Sequence, residues 1–290
     1  MAGTQDIRRR IRSVTNMQQI TKAMKMVSAS KLRRAQNKLI ASRPYARQLL
    51  EVLERLARIP VPDADEEKVH PLLKERPVEN IIYVVVTADR GLCGGYNANI
   101  IRLTSSLIAE SEHEVKLVTV GRRGRDFFRR GKITFLGEFI GLGDDPTYSQ
   151  AREIGQKIVS LYEAGEADEV YLVFSEFVSA MTQRPSRIML LPIKAEENEN
   201  ADQKDIDYIF EPSPEEILNS LLPKYVETQI FRTLLEGKAS EQGARMMAMS
   251  AASDNAKDMI GRLTLAMNRA RQAAITTEIS EIVSGAAALE

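Results

Sequence analysis

The run from Ser213 to Glu290 reads as one helix, longer than any globular core requires. Ser213-Pro214-Glu215-Glu216 opens it with a side-chain cap, a proline in the first turn where the missing N–H costs nothing, and a glutamate three residues past the cap. Apolar residues then recur at helical spacing through Val226, Ile230 and Leu234, through Ala244, Ala248 and Ala252, and through Met259, Leu263, Ala266, Ala270 and Ala274. Only Pro223 interrupts, and because the pattern resumes at once it predicts a kink rather than an end. At 1.5 Å per residue the helix is roughly 110 Å long. Such a helix needs a partner of comparable length.

The other end of the chain supplies one. No Gly or Pro occurs from Thr4 to Arg43, and Ile7, Ile11, Val14, Met17, Thr21, Met24, Ser28, Leu32, Ala35 and Leu39 repeat at close to 3.6 residues. Pro44 is a second potential kink, beyond which Tyr45, Leu49, Val52, Leu53 and Leu56 carry the pattern toward Ile59. Two long helices at opposite ends of a chain with a compact middle are expected to pair antiparallel. The stretch from Ala239 to Ala256 is rich in Ala, Ser, Gly and Met, so a neighbouring helix can approach closely; the interleaved Glu241, Arg245, Asp254, Lys257 and Arg262 argue against burial all round.

Between the helices, Pro60 to Pro77 is Pro-rich and charged, a linker or surface loop. Strand signals follow at Ile81–Thr87, Val115–Val120, Ile133–Phe139, Glu169–Phe177 and Arg187–Ile193, alternating with helical signals at Asn97–Glu110, Arg122–Arg130 and Ser149–Ala164. That order argues for βαβ units and a mainly parallel sheet. Glu196 to Asp205 reads as an acidic loop, and Ile206 to Phe210 as a short edge strand or the lead-in to the last helix. The expected fold class is therefore α/β: a long antiparallel two-helix coiled coil of the N- and C-terminal helices plus a Rossmann-like α/β domain. The divisions are 1–59 (first helix), 60–77 (linker), 78–210 (α/β domain) and 211–290 (last helix).

An apolar content of 43% permits a substantial core, and net charge is zero, yet the charges are segregated. The first fifty residues hold twelve Lys or Arg against the single acid Asp6, while acids gather at Asp63–Glu67 and Glu196–Asp207. The single Cys has no partner for an internal disulfide, which points to a reducing compartment. No apolar core follows the N-terminal charges, so no secretory signal is expected, and the longest apolar run, Ile81 to Val86, is too short to cross a bilayer. Membrane association would have to pass through a partner.

Chemistry-bearing residues are sparse. Thr87-Ala88-Asp89-Arg90-Gly91-Leu92-Cys93-Gly94-Gly95 lies between a strand and a helix, where a phosphate can rest on backbone N–H groups, but it has neither the G-x-G-x-x-G spacing nor a Lys-Ser/Thr ending. It reads as a tight glycine turn, with a nucleotide-dependent enzyme as the reading to test. Cys93 lacks a nearby base, since His70 and His113 fall in surface segments, and two histidines with one cysteine make a poor zinc set. Met17, Met24, Met26, Met246, Met247 and Met249 read as core filler. The basic first helix also permits a nucleic-acid-binding coiled coil. Against that, its charges flank a continuous apolar stripe and no aromatic accompanies them before Tyr45. Arg8, Arg9, Arg10 and Arg12 suit exchangeable pairing with acidic protein loops, which permits sliding.

Ile275-Thr276-Thr277-Glu278-Ile279-Ser280-Glu281-Ile282-Val283-Ser284-Gly285-Ala286-Ala287-Ala288 closely resembles the C-terminal signature of the gamma subunit of the rotary ATP synthase, in its bacterial form. I-T-K-A-M-K-M-V-S-A-S-K at 20–31, D-R-G-L-C-G-G at 89–95 and S-E-Q-G-A-R-M-M-A-M at 240–249 resemble the same family, in the same order, so the likeness covers the whole chain.

The resemblance implies a non-catalytic subunit: a central rotor shaft standing inside a ring of three alpha and three beta subunits, with its body toward the epsilon subunit and the membrane c-ring. Proton flow would drive ATP synthesis, or hydrolysis would run it backwards. It implies no cofactor on this chain, ATP, ADP and Mg being used by the complex, no nucleic acid, and a peripheral place on the cytoplasmic face of the cell membrane. Carried over by position, it assigns ring contacts to Arg8, Arg9, Arg10, Met24, Arg271, Gln272, Glu278, Gly285 and Ala286, and contacts with the epsilon subunit or membrane ring to Tyr208 and Phe210. The inserted cysteine pair that acts as a redox switch in chloroplast members is absent here, so thiol regulation is not expected.

Overall fold

The computed structural model describes residues 4–57, 70–193 and 213–287. Helix α1 (Thr4–Ala57) has 54 residues and α5 (Pro214–Ala287) has 74. Both run through their internal prolines, Pro44 and Pro223. At the start of α5, Ser213 Oγ accepts from the Glu216 N–H at 3.2 Å, the cap expected from the sequence. Two compact units result, one combining Met1–Ala29 with Arg245–Glu290 and the other formed by Ser30–Ala244.

In the first unit two helical stretches share one seam. Less exposed positions recur through Ile7, Ile11, Val14, Gln18, Thr21, Met24 and Ser28 on α1, and through Met249, Ala252, Ala256, Ile260, Leu263, Met267 and Ala270 on α5, with neighbours such as Thr15, Ser253 and Thr264 widening the row. Steps of three and four give the seven-residue repeat of a coiled-coil seam rather than a strict 3.6-residue stripe. Register is marked by Lys25 Nζ, which donates to Ser250 Oγ at 2.9 Å. With Lys25 facing Ser250 in an antiparallel pair, Thr4, where α1 begins, faces Arg271. From Arg271 to Gly285 every residue of α5 is exposed, as that geometry requires.

The seam corrects the phase read from sequence. Met17 is 58% exposed and Met259 51%, and Ala266 and Ala274 also face outward. Helical spacing marks several rows as apolar; the partner selects the row that keeps step with a supercoil.

The second unit is built on a five-stranded sheet of order β3-β2-β1-β4-β5. Its strands are β1 (Asn80–Val86), β2 (Glu114–Val120), β3 (Thr134–Phe139), β4 (Glu169–Phe177) and β5 (Gln183–Leu191). β1 to β4 are parallel and β5 is antiparallel to β4. Helices α2 (Tyr96–Glu110), α3 (Arg122–Phe128) and α4 (Tyr148–Glu163) form the crossovers. The central β1, Asn-Ile-Ile-Tyr-Val-Val-Val, is covered on both faces, which is why it reads as an unbroken apolar run. On one face Ile82, Val84 and Val86 pack with Ile154 and Ile158 of α4, Leu49 and Leu53 of α1, and Leu222, Val226 and Ile230 of α5. On the other, Ile81, Tyr83 and Val85 pack with Tyr96 and Ile100 of α2 and Phe128 of α3.

Three sequence expectations change here. β5 begins at Gln183, not Arg187, because Pro185 sits within an edge strand, where a missing N–H need not cost a ladder bond. Part of the 60–77 segment is no surface loop: Leu72, in a single 3-10 turn, is fully buried, and Tyr162 Oη donates to Lys74 O at 3.1 Å. Glu241, Gln242 and Arg245 are buried despite their charge or polarity, Glu241 at 4% exposure with Lys238 Nζ 2.8 Å away.

The small residues of α5 do allow a close approach, but in this unit to the α/β body. A Cβ on Gly237 would lie 3.3 Å from Tyr96 Oη and one on Gly243 3.3 Å from Ala180 O. The acidic loop and the Ile206–Phe210 segment lie outside the described residues.

Gly121 joins β2 to α3 at φ +93°, and a Cβ there would stand 2.2 Å from Thr87 O. Backbone cannot yield as a side chain can. Gly121→Ala is expected to cost about 3 kcal/mol or more, seen as a lower urea midpoint of the isolated chain.

Candidate functional site

The crevice beyond the C-terminal ends of parallel strands is where this architecture usually holds a ligand. Here the protein's own side chains occupy it. The loop after β1 turns through Leu92 at φ +62° and Gly94 at φ +56° and carries Asp89 inward. Asp89 accepts from the N–H of Arg122, at the start of α3, at 3.0 Å, and from the N–H of Gly141 at 3.1 Å. Those are donors a phosphate would need, and a carboxylate already holds them. From the opposite side α5 brings in the Lys238–Glu241 pair, and a polar cavity of about 310 Å³ remains among Asp89, Arg90, Arg122, Asp144, Lys238 and Glu241. The loop is the tight glycine turn the sequence suggested, fastening α3, the β3–α4 loop and β1 together.

Cys93 is buried, its Sγ accepting from Asn97 Nδ2 at 3.1 Å. His70 accepts from the Leu72 N–H through Nδ1, and burial lowers its pKa against the opposing pull of Glu163. Among the described residues no group of three or more His, Cys, Asp or Glu is placed to hold a metal, and no helix is long and apolar enough to cross a membrane.

A second polar cluster fixes α1 to the body within the same unit. Lys31 Nζ lies 2.7 Å from Asp144 Oδ2, and Lys38 Nζ lies 2.5 Å from Asp145 Oδ1, so two turns of α1 are tied to the β3–α4 loop. Sequence reasoning read Lys31 and Lys38 only as part of a basic helix. Nothing local in the sequence marked their partners, which lie 113 and 107 residues away. Nearby, Tyr148 Oη donates to the buried Glu227 carboxylate at 2.9 Å, and burial, then that bond, pushes the phenol up to about 12.

The residues assigned to partner contacts occupy a different kind of surface. Arg8, Arg9, Arg10 and Arg12 are exposed on the first turns of α1, and Met24 is half-buried at the seam. Arg271, Gln272, Glu278 and Gly285 are exposed along the last turns of α5, and Ala286 lies within that helix. Tyr208 and Phe210 lie outside the described residues. The structure thus brings the arginines of α1 and the start of the bare α5 segment into one unit. It also exposes an apolar face there: Ile275, Ile279, Ile282 and Val283 fall at i, i+4, i+7 and i+8, with Ile282 69% exposed. Soluble chains seldom leave such a stripe uncovered, so it marks a contact surface rather than a core face.

Comparison with known proteins bears on what that surface meets. The family model described as ATP synthase matches residues 3–289. A protein of Desulfitobacterium hafniense named ATP synthase gamma chain is 67% identical, each chain covered in full, and one of the same name from Heliobacterium modesticaldum is 57% identical, again over the whole of both. Among solved structures, a chain of the mitochondrial ATP synthase of Euglena gracilis (OSCP/F1/c-ring, rotational state 3) matches with TM-score 0.69 and 16% identity, covering 99% of this chain and 94% of that one. A chain of the Tetrahymena thermophila mitochondrial ATP synthase central stalk and c-ring matches with TM-score 0.61 and 24% identity, covering 81% and 99%. At those identities the structural likeness shows the fold alone.

The Lys31–Asp144 pair generates a pH prediction. The hydrogen bond from Lys31 holds the Asp144 carboxyl below its usual range, so its stabilisation is present above the ordinary carboxylate pKa and disappears as pH falls through the lowered value. Both side chains are partly solvated, so Lys31→Met is expected to cost about 0.5 kcal/mol at neutral pH and nothing in strong acid. Urea midpoints of both proteins across the acid range check this, converging at the acid end.

Proposed function

The chain belongs to the ATP synthase gamma-chain family, and from that premise we propose that it works as the central rotor shaft, coupling proton flow through the membrane sector to ATP synthesis or hydrolysis at sites on other subunits. The observation that carries this reading is the end of α5: exposed from Arg271, opposite the first turn of α1, and apolar along one face. A surrounding sleeve of protein covers such a stripe without polar anchors, and a contact made of dispersion and exclusion of water varies little as the helix turns within it.

In this reading residues 1–59 and 211–290 form the shaft, 78–210 the body, and 60–77 the link between. A ring of three alpha and three beta subunits receives Arg8, Arg9, Arg10, Met24, Arg271, Gln272, Glu278, Gly285 and Ala286. The epsilon subunit and the membrane c-ring meet the body, with Tyr208 and Phe210 assigned to that side. The chain itself binds no nucleotide, ATP, ADP and Mg being handled by the ring, and it sits on the cytoplasmic face of the membrane through its partners.

Two helices and one bare tip have no threefold symmetry, so three chemically identical sites around them meet three different surfaces. A site's conformation is then set by the contacts that each rotor angle favours, since a partner shifts an equilibrium only by its differential interaction with the two states. The exposed Arg8, Arg9, Arg10 and Arg12 contribute charge that passes from one acidic loop to the next. Family membership gives no support to a nucleic-acid role for that basic helix, whose apolar row faces α5.

The direct test is co-assembly: with the alpha and beta subunits the chain is expected to form a stable complex and restore coupled ATP hydrolysis, and failure of both removes the reading. A cross-link from Gly285→Cys to the ring is expected to block turnover, reversibly on reduction. Arg271→Ala and Gln272→Ala are expected to lower the coupled rate while leaving the urea midpoint of the isolated chain within about 0.5 kcal/mol, because both side chains are solvated when it is alone.

A further inference from the structure

The most basic stretch of the α/β unit is Arg122-Arg123-Gly124-Arg125-Asp126-Phe127-Phe128-Arg129-Arg130, the turn and helix after β2. Adjacent residues on a helix point about 100° apart, so both phenylalanines cannot face the same core. Phe128 is 3% exposed and packs under the sheet, with Phe127 set edge-on to it at 5.1 Å and itself 50% exposed. Phe127 instead forms the floor of an open groove of about 650 Å³ between α2 and α3, together with the half-buried Ile101, and Arg102, Arg123 and Arg130 stand around it.

The charge around this groove is not compensated locally. Asp126, an acid among its lining residues, is engaged by Arg125 at 2.6 Å, and Arg129 pairs with Glu138 at 3.2 Å; among the described residues no ion pair takes up Arg102 or Arg130. The groove also lies on the sheet face served by α2 and α3, whereas the buried apolar residues of α1 and α5 that pack on β1 in this unit lie on the other face, and Ala244, through which α5 reaches the α2 side, is not among the residues that line the groove. A partner seated there would not compete with them.

We propose that the α2–α3 groove is a docking site for an acidic protein segment carrying one bulky apolar side chain. The apolar side chain rests on Phe127 and Ile101, and flanking carboxylates meet Arg102 and Arg130. An apolar floor favours such a segment over a bare polyanion, because phosphates answer the arginines but leave Phe127 in water. Guanidinium groups fit carboxylates through paired N–H donors, which fixes orientation as well as charge.

The experiment uses the assembled complex. A photo-reactive p-benzoylphenylalanine replaces Ser105 on the groove's α2 wall, and after irradiation of native membranes the adduct is sequenced by mass spectrometry. The expected adduct is a peptide of net negative charge bearing a large apolar residue. Its yield is expected to fall about tenfold with Arg102→Glu plus Arg130→Glu, and comparably with Phe127→Ser, while complex assembly and ATP hydrolysis by the ring persist. Replacing the captured segment's acids by lysine should restore the yield against the charge-reversed chain. An adduct with lipid or nucleic acid, an adduct with a neutral or basic peptide, a yield indifferent to both substitutions, or no adduct at all overturns the proposal. Because assembly and hydrolysis are read separately, a failed rotor role and a failed docking site are distinguishable.

Discussion

One row of side chains decides what the two ends of this sequence become. A long helix with a single apolar row is poorly stabilised in water by its own hydrogen bonds, since most helical stability in proteins comes from packing. In the first unit the rows on α1 and α5 answer each other: Ile7, Ile11, Val14 and Thr21 on one side, Ile260, Leu263, Met267 and Ala270 on the other. The seam is narrow and partly polar, with Thr21 and Ser28 buried in it and Lys25 bonded across to Ser250. A narrow seam of small groups lets two helices approach closely while leaving most of their circumference for other contacts. Everything outward-facing in that unit, the arginines of α1 and the isoleucines of the tip, is available because so little is spent inward.

Helix lengths, the α/β alternation and the glycine turn after β1 were readable from residue types alone. Each rests on a local rule: apolar residues at helical spacing, runs of β-branched residues, or a cap before a proline. What the sequence hid depended on which surface wins a competition between several candidates. Met17 and Met259 lie in rows as apolar as the seam, and only the partner's seven-residue step excludes them. Of the charged residues that argued against burial all round, Asp254, Lys257 and Arg262 are exposed, but Glu241 and Arg245 are buried, and Lys238 pairs with Glu241. Asp89 was legible as a turn residue but not as the anion that occupies the strand-end donors, because its partners, the N–H groups of Arg122 and Gly141, are distant in sequence. Of the candidate contact residues, the structure gives exposure and grouping. Their partners could be named only through the family.

The buried charges of α5 explain how a generic scaffold comes to serve a mechanical part. In the usual use of this sheet topology the crevice beyond the strands stays open for a ligand. Here Gly237 brings α5 close to β1 and α2, Gly243 brings it against the β4–β5 turn, and Ser240 Oγ donates to Ser175 O at 2.9 Å. Lys238 and Glu241 then enter the crevice as a pair. Lower on the same helix the buried Glu227 accepts from Tyr148 Oη of α4 at 2.9 Å. Such contacts penalise small displacements of the helix more sharply than a greasy interface does, because hydrogen bonds and charge pairs are directional. The segment of α5 that meets the body therefore adds polar contacts that resist slipping to its packing through Leu222, Val226 and Ile230, and its tip carries an exposed apolar stripe. That division along one helix, directional contacts where torque must be transmitted and non-directional ones where the surface must turn, is what the physical chemistry of a shaft requires.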